Sequence, residues 1–212
     1  MNTEGGAVME HTSLEELQFD IYQQLGECYT FTGDIDKALE HFHTARKLMP
    51  TSEQPLIGIG TALIQQKKFL EAEQCFHEAL ALQPHSDRAL AGLALVSQEA
   101  GRITESLSLY RQAMDENPTN LTALMGVIQT AYALERFDTA ITYLRAYLEH
   151  YPANTKILYC LAGTYFKQQQ YEKCREVLDQ LFIFNPDHPE ARELLTMLQR
   201  AQGYSYAQCN SA

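Results

Sequence analysis

The chain has 212 residues, 45% of them hydrophobic and 20% charged, a composition of soluble globular proteins and a length that allows a continuous core. The formal net charge is -11, and all eight charged residues in the first 36 positions are acidic; this disfavours nucleic acid as a partner, because phosphates need clustered Lys and Arg. No apolar run approaches the roughly 18 residues of a membrane span, and no Lys or Arg precedes Lys37 to form the basic region of a targeting peptide, so a cytoplasmic location is expected.

In chain order, residues 1–12 read as a mobile tail. "TSLEEL" then offers Ser13 as an N-cap with Glu16 three residues on, a capping box that opens the first helix. From there the chain is periodic. Pro50, Pro84, Pro118, Pro152 and Pro186 stand 34 residues apart without a slip, which divides the chain into repeats at 19–52, 53–86, 87–120, 121–154 and 155–188. Three further columns keep the same step. Small residues recur at Ala38, Ala72, Ser106, Ala140 and Cys174, bulky ones at Phe42, Phe76, Tyr110, Leu144 and Leu178, and apolar ones at Ile35, Phe69, Ile103, Phe137 and Tyr171.

Within a repeat the apolar positions fall at helical spacing, as in Leu56, Ile59 and Leu63 followed by Ala72, Phe76, Ala79 and Leu80, with "QQKK" between them. Proline closes each second helix, since a helix cannot readily continue through it. Each repeat is therefore predicted to be a helix, a short turn and an antiparallel helix. The second repeat also carries Gly58 and Gly60 inside its first helix, at about 1 kcal/mol each in helix propensity. Gly58 belongs to a column with Gly92, Gly126 and Cys160. After Pro186, residues 187–202 read as a capping helix with Leu194, Leu195 and Leu198 on one face, ended by Gly203 and followed by a second tail at 204–212.

In the first repeat, "YQQLGECY" carries Tyr22, Leu25, Gly26 and Tyr29, and Ala38, Phe42, Ala45 and Pro50 complete a set that resembles the tetratricopeptide repeat. The resemblance covers residues 19 to 188. It implies an all-α fold, a right-handed α-solenoid of five helical hairpins plus the C-terminal capping helix, over residues 13–203. It also implies that Gly26, Gly60, Ala94 and Ala162 leave a gap into which the second helix packs. The fourth repeat departs, with Ile128 in the gap and Tyr147 where Ala45, Ala79 and Ala113 stand. Overpacking there would cost on the order of 1 to 3 kcal/mol unless the helices spread, so a local change in curvature is expected near 121–152.

The resemblance further implies a concave groove, lined by the first helices, that receives a peptide or helix of a protein partner. By register its lining would be Asp20, Gln23, Glu27, Ile57, Gly58, Thr61, Ile64, Arg88, Gly92, Leu95, Met125, Gly126, Gln129, Tyr132, Lys156, Tyr159 and Phe166, an apolar trough with an acidic mouth suited to a partner carrying basic residues. The glycine column has two readings: it floors this groove, or it accommodates the side chain of a neighbouring helix. Family members that grip an acidic peptide C-terminus use Lys, Asn and Arg where this chain has Gln23, Glu27, Gly58, Arg88 and Gly92. The Asn ladder of sugar-transferring relatives is likewise replaced by Gly and Cys.

Candidate chemistry is sparse. His41 and His43, two residues apart, diverge on a helix and do not make a metal pair. Cys28, Cys75, Cys160, Cys174 and Cys209 have no CxxC spacing, so reduced thiols are expected, with Cys174 as core filler and Cys209 exposed. No nucleophile–base constellation or phosphate-cradling loop stands out. A non-catalytic interaction scaffold that needs no cofactor or metal is expected. Two alternatives fit the same residues: a repeat subunit attached to bacterial glycosyltransferase or polysaccharide machinery, and a self-assembling scaffold of a secretion or organelle-coating complex, as a homo-oligomer.

Overall fold

A computed structural model describes residues 14–209, with side chains to Gly203. The capping box at Ser13, the tail at 1–12 and the exposure of Cys209 lie outside what is described. Eleven helices and no strand occur among the described residues: α1 (Leu14–Thr32), α2 (Ile35–Leu48), α3 (Gln54–Gln65), α4 (Phe69–Leu82), α5 (Asp87–Glu99), α6 (Ile103–Glu116), α7 (Leu121–Ala133), α8 (Phe137–His150), α9 (Thr155–Lys167), α10 (Tyr171–Phe184) and α11 (Pro189–Cys209). They form two compact units, α1–α5 ending at Glu99 and α6–α11 starting from Ala100, a division that falls between the two helices of the third repeat. Within each unit a helix packs on the next helix or the next but one.

Both ends of each hairpin are set by local chemistry. Helix α1 stops because Gly33 takes φ 83° and Asp34 N–H donates back to Tyr29 O at 3.0 Å, a left-handed helix-ending turn. The same turn recurs at Lys67, Gly101, Glu135 and Gln169, and three of these five positions hold a non-glycine residue at φ 55° to 59°. At the other end, the side chains of Asn120 and Asn154 accept the N–H of Ala123 and Ile157, and those of Ser86 and His188 accept the N–H of Ala89 and Ala191. These four residues form one column, 34 apart, that caps the first helix of each successive repeat and the start of α11.

The columns of small and bulky residues are the core. Ala38, Ala72, Ser106, Ala140 and Cys174 are fully buried, as are Phe76, Leu144 and Leu178, with Phe42 and Tyr110 nearly so. Burial pushes the Cys174 thiol up to about 11, as befits a filler rather than a nucleophile. In the fourth repeat Tyr147 is buried against Tyr151, ring centroids 4.9 Å apart, and α7 and α8 are apposed more loosely than α1–α2, α3–α4 or α9–α10.

Helix α11 departs from its expected end. It continues through Gly203 to Cys209, since a glycine with ordinary helical φ weakens a helix without stopping it. It buries Ala191, Leu194 and Leu198, whereas α1 leaves Leu14, Leu17 and Ile21 exposed on its outer face. The N-terminal end is thus not shielded by its own first helix.

Candidate binding surfaces

The glycine column answers first to packing. A Cβ added at Gly26 would lie 2.5 Å from the Phe42 ring, and one added at Gly58 would collide with the same ring from the following repeat. Phe42 is therefore held between two glycines, one from its own hairpin and one from the next. Phe76 is held the same way, between Gly60 (2.8 Å) and Gly92, and the Tyr110 ring occupies the space above Gly126. Gly92 and Gly126 are thus filled by rings of the chain itself and do not floor an open groove; Gly58 borders open space only beside the ring that fills it. Ile57 is also corrected: at 4% exposure it belongs to the core.

In the first unit, a cavity of about 260 Å³ opens between three first helices. Glu27 and Phe31 come from α1, Gly58, Thr61 and Gln65 from α3, and Arg88 from α5, with the edge of Phe42 at its base. Its polar rim is ordered. Arg88 Nη2 lies 3.4 Å from Glu27 Oε1, which also accepts Gln23 Nε2 at 3.2 Å; Thr61 Oγ1 donates to Ile57 O at 2.8 Å, and Gln65 Nε2 donates to Thr30 O at 3.2 Å. Gln23 is buried and its Oε1 has no hydrogen-bond partner among the described residues. Phe31 is almost fully exposed, an apolar side chain held at the mouth. Asp20 is exposed on the same helix, while Ile64 and Leu95 are half-buried.

In the second unit a separate cavity of about 520 Å³ is lined by Tyr132, Gly163, Phe166, Lys167, Gln169 and Tyr171. Tyr132 is fixed by a 2.9 Å hydrogen bond between its hydroxyl and Thr164 Oγ1 and by an edge contact with Phe137, centroids 5.1 Å apart. Burial raises the Tyr132 hydroxyl pKa, so it stays neutral. Phe166 leans on Tyr171 at 5.8 Å. Met125, Gln129 and Lys156 are exposed, and Tyr159 is half-buried, stacked on His188 at 5.4 Å.

Four of the expected lining residues, Glu27, Gly58, Thr61 and Arg88, thus meet at one cavity, and Tyr132 and Phe166 meet at the other. Phe31 and Gly163 were missed. Gly163 is a cavity-lining glycine with open space beside it, since a Cβ there would meet nothing within 4 Å. It stands in the column of Glu27, Thr61, Leu95 and Gln129, which could have revealed it as a surface position.

Among the described residues there is no cluster of three or more His, Cys, Asp or Glu that could hold a metal, and no helix long and apolar enough to cross a membrane. Three family models, each described as tetratricopeptide repeat, match residues 19–47, 57–120 and 131–198. No curated protein matches the chain. Among solved structures, the pilF protein of Pseudomonas aeruginosa is 16% identical, with 90% of this chain and 87% of that one covered at a TM-score of 0.71. YrrB, a protein of the same repeat type with an unusual peptide-binding site, is 20% identical over 82% of this chain and 90% of its own, at 0.59. The MamA protein of Desulfovibrio magneticus is 14% identical over 81% and 97%, also at 0.59. At such identities the likeness is one of fold.

Proposed function

From the premise that the chain belongs to the tetratricopeptide repeat proteins, a family of interaction modules, we propose that it is a non-catalytic scaffold that receives a peptide or helix of a protein partner on the face formed by its first helices. The observation that carries this reading is the cavity between α1, α3 and α5. It joins an exposed aromatic ring, Phe31, to a fixed set of polar groups at Glu27, Thr61, Gln65 and Arg88. An apolar side chain of the partner would cover Phe31, and its backbone would find both donors and acceptors on the rim. Asp20 and Glu27 at the mouth favour a segment carrying Lys or Arg and speed its approach.

The test uses a phage-displayed peptide library selected on the intact chain. Thr61→Arg fills the first cavity from an exposed position, and Gly163→Leu fills the second where the added side chain meets open space. Selected peptides should bind Thr61→Arg at least tenfold more weakly and be enriched in basic residues. Asp20→Lys combined with Glu27→Lys should slow their association without speeding dissociation to the same degree. Peptides that bind both cavity-filled variants as well as the intact chain would place recognition elsewhere.

A further inference from the structure

The outer face of α1 is built like an interior surface. Leu14, Leu17, Ile21, Leu25 and Cys28 recur at three- and four-residue spacing, opposite the buried Phe19, Gln23 and Gly26, and all five are exposed, Leu14 to 71%. Shifted by 34 residues and its multiples, Ile21 becomes Pro55, Ala89, Ala123 and Ile157; Leu25 becomes Ile59, Leu93, Val127 and Leu161; Cys28 becomes Ala62, Val96, Thr130 and Thr164. Every one of these twelve residues is buried, and apart from Pro55 none exceeds 5% exposure. The columns that later repeats bury are thus present in α1 with apolar residues, and nothing among the described residues covers them.

Charge decides what kind of occupant fits. Helix α1 carries Glu15, Glu16, Asp20 and Glu27 and no Lys, Arg or His. Glu16, Asp20 and Glu27 follow one edge of the apolar stripe, and Glu15 lies toward the other. A second copy pairing α1 with α1 would bring two such acidic helices together between chains of net charge -11. Residues 1–13 of the chain itself contain Glu4 and Glu10 and no Lys or Arg, so they share the same sign. Register narrows the choice further. Gln24 stands where Gly58, Gly92 and Gly126 admit an aromatic ring from the preceding hairpin, so the occupant cannot insert a ring there as a preceding repeat would.

We propose that the outer face of α1 is a second interaction surface, which docks an amphipathic helix of another protein whose apolar stripe is flanked by Lys or Arg. From Leu14 to Cys28 the stripe is about 21 Å long, which matches a partner helix of about four turns. The surface adjoins the cavity between α1, α3 and α5, sharing Glu27 at its edge, but its apolar stripe from Leu14 to Cys28 contributes no residue to that cavity.

The test uses the full chain and two synthetic 16-residue helical peptides with leucine at heptad a and d positions, one flanked by Lys and the other by Glu. Binding is read by fluorescence anisotropy, and coverage of the face by the alkylation rate of Cys28, located by peptide mapping. Cys28 is exposed, while burial pushes the thiol pKa of Cys75, Cys160 and Cys174 upward, so they react more slowly. The Lys-flanked peptide should bind at least tenfold more tightly than the Glu-flanked one, weaken with added salt and slow Cys28 alkylation. Leu17→Ser with Ile21→Ser should weaken binding at least tenfold while circular dichroism stays unchanged, and Cys28→Arg should do the same by charge. Thr61→Arg should leave this binding intact.

Five results would overturn the proposal. The Lys-flanked peptide does not bind, or binds the Leu17→Ser, Ile21→Ser variant equally. Its binding is lost instead on Thr61→Arg, which would assign it to the cavity. Sedimentation shows a dimer that the Leu17→Ser, Ile21→Ser pair dissociates, which would make the occupant a second copy. Val8→Asp with Met9→Asp speeds Cys28 alkylation in the peptide-free chain, which would make it the chain's own N-terminal segment.

Discussion

The first and second units solve the same packing problem with different volumes. In the first, Phe42 and Phe76 each lie between two glycines, Gly26 and Gly58 for one ring and Gly60 and Gly92 for the other. In the second, the Tyr110 ring still covers Gly126, but the equivalent positions of the fourth repeat hold Leu144 with Ile128 and Cys160, and those of the fifth hold Leu178 with Ala162 and Leu194. A large ring with two absent side chains is exchanged for a smaller aliphatic knob with filled neighbours. The lesson is that the bulky column and the two small columns form one unit of volume, so a substitution in one is tolerated only with a change in another.

The largest effect should come from removing a ring. Phe42→Ala or Phe76→Ala should cost about 3 to 5 kcal/mol in denaturant unfolding, because flanking glycines have no side chains with which to fill the void. If either costs less than Leu144→Ala, the first unit does not depend on its rings as argued. Next, Gly58→Ala should cost about 1 to 3 kcal/mol, since the ring it meets is held on its other side by Gly26 and cannot retreat. Leu144→Phe should cost a similar amount in the second unit, and adding Ile128→Gly should recover part of it; a double-mutant cycle with no coupling would count against a shared volume.

Smaller effects separate packing from backbone conformation. Lys67→Gly in the first unit and Glu135→Gly in the second should each stabilise by about 0.5 to 1 kcal/mol, because both residues sit in the left-handed region at φ 59° and 55°. The two gains should be alike, since the turn does not depend on the size of the core knob. Gly163→Ala should raise stability by roughly 0.5 kcal/mol through helix propensity alone, in contrast to the loss at Gly58. Opposite signs at these two glycines in matched melts would confirm that occupancy by a ring, and not the residue type, sets the cost.

The hairpins were legible in the sequence because Pro50 and its four equivalents and the Ala38 and Phe42 columns report local geometry, which repeats wherever the chain repeats. The role of Gly58 was legible only as one of two readings, and the packing one holds; its partner ring belongs to Phe42 of the preceding hairpin, and periodicity alone does not show which neighbour fills a small position. Ile57 was misplaced for a related reason: its register put it on the first-helix face, but that face is partly shared with the adjoining hairpin. The left-handed turns at Lys67, Glu135 and Gln169 carry no glycine to announce them. They are imposed by the two helices that must meet there. Gly163 escaped notice since an open surface glycine and one beneath a ring look the same in a sequence.

The restriction of helix packing to the next helix and the next but one has a kinetic corollary. Closing such contacts requires only short loops, so folding should be fast for the length of the chain, and nucleation can begin in more than one hairpin. Within each unit the described helices show no clasp between distant segments, so opening need not be all-or-none. Amide hydrogen exchange should then show graded protection: α1, with its outer face uncovered, should exchange sooner than α3, which has neighbours on both sides. A docked helix on α1 would remove that gradient, so binding at this end of the chain would be felt as altered breathing of the first hairpin, even without a change in its average structure.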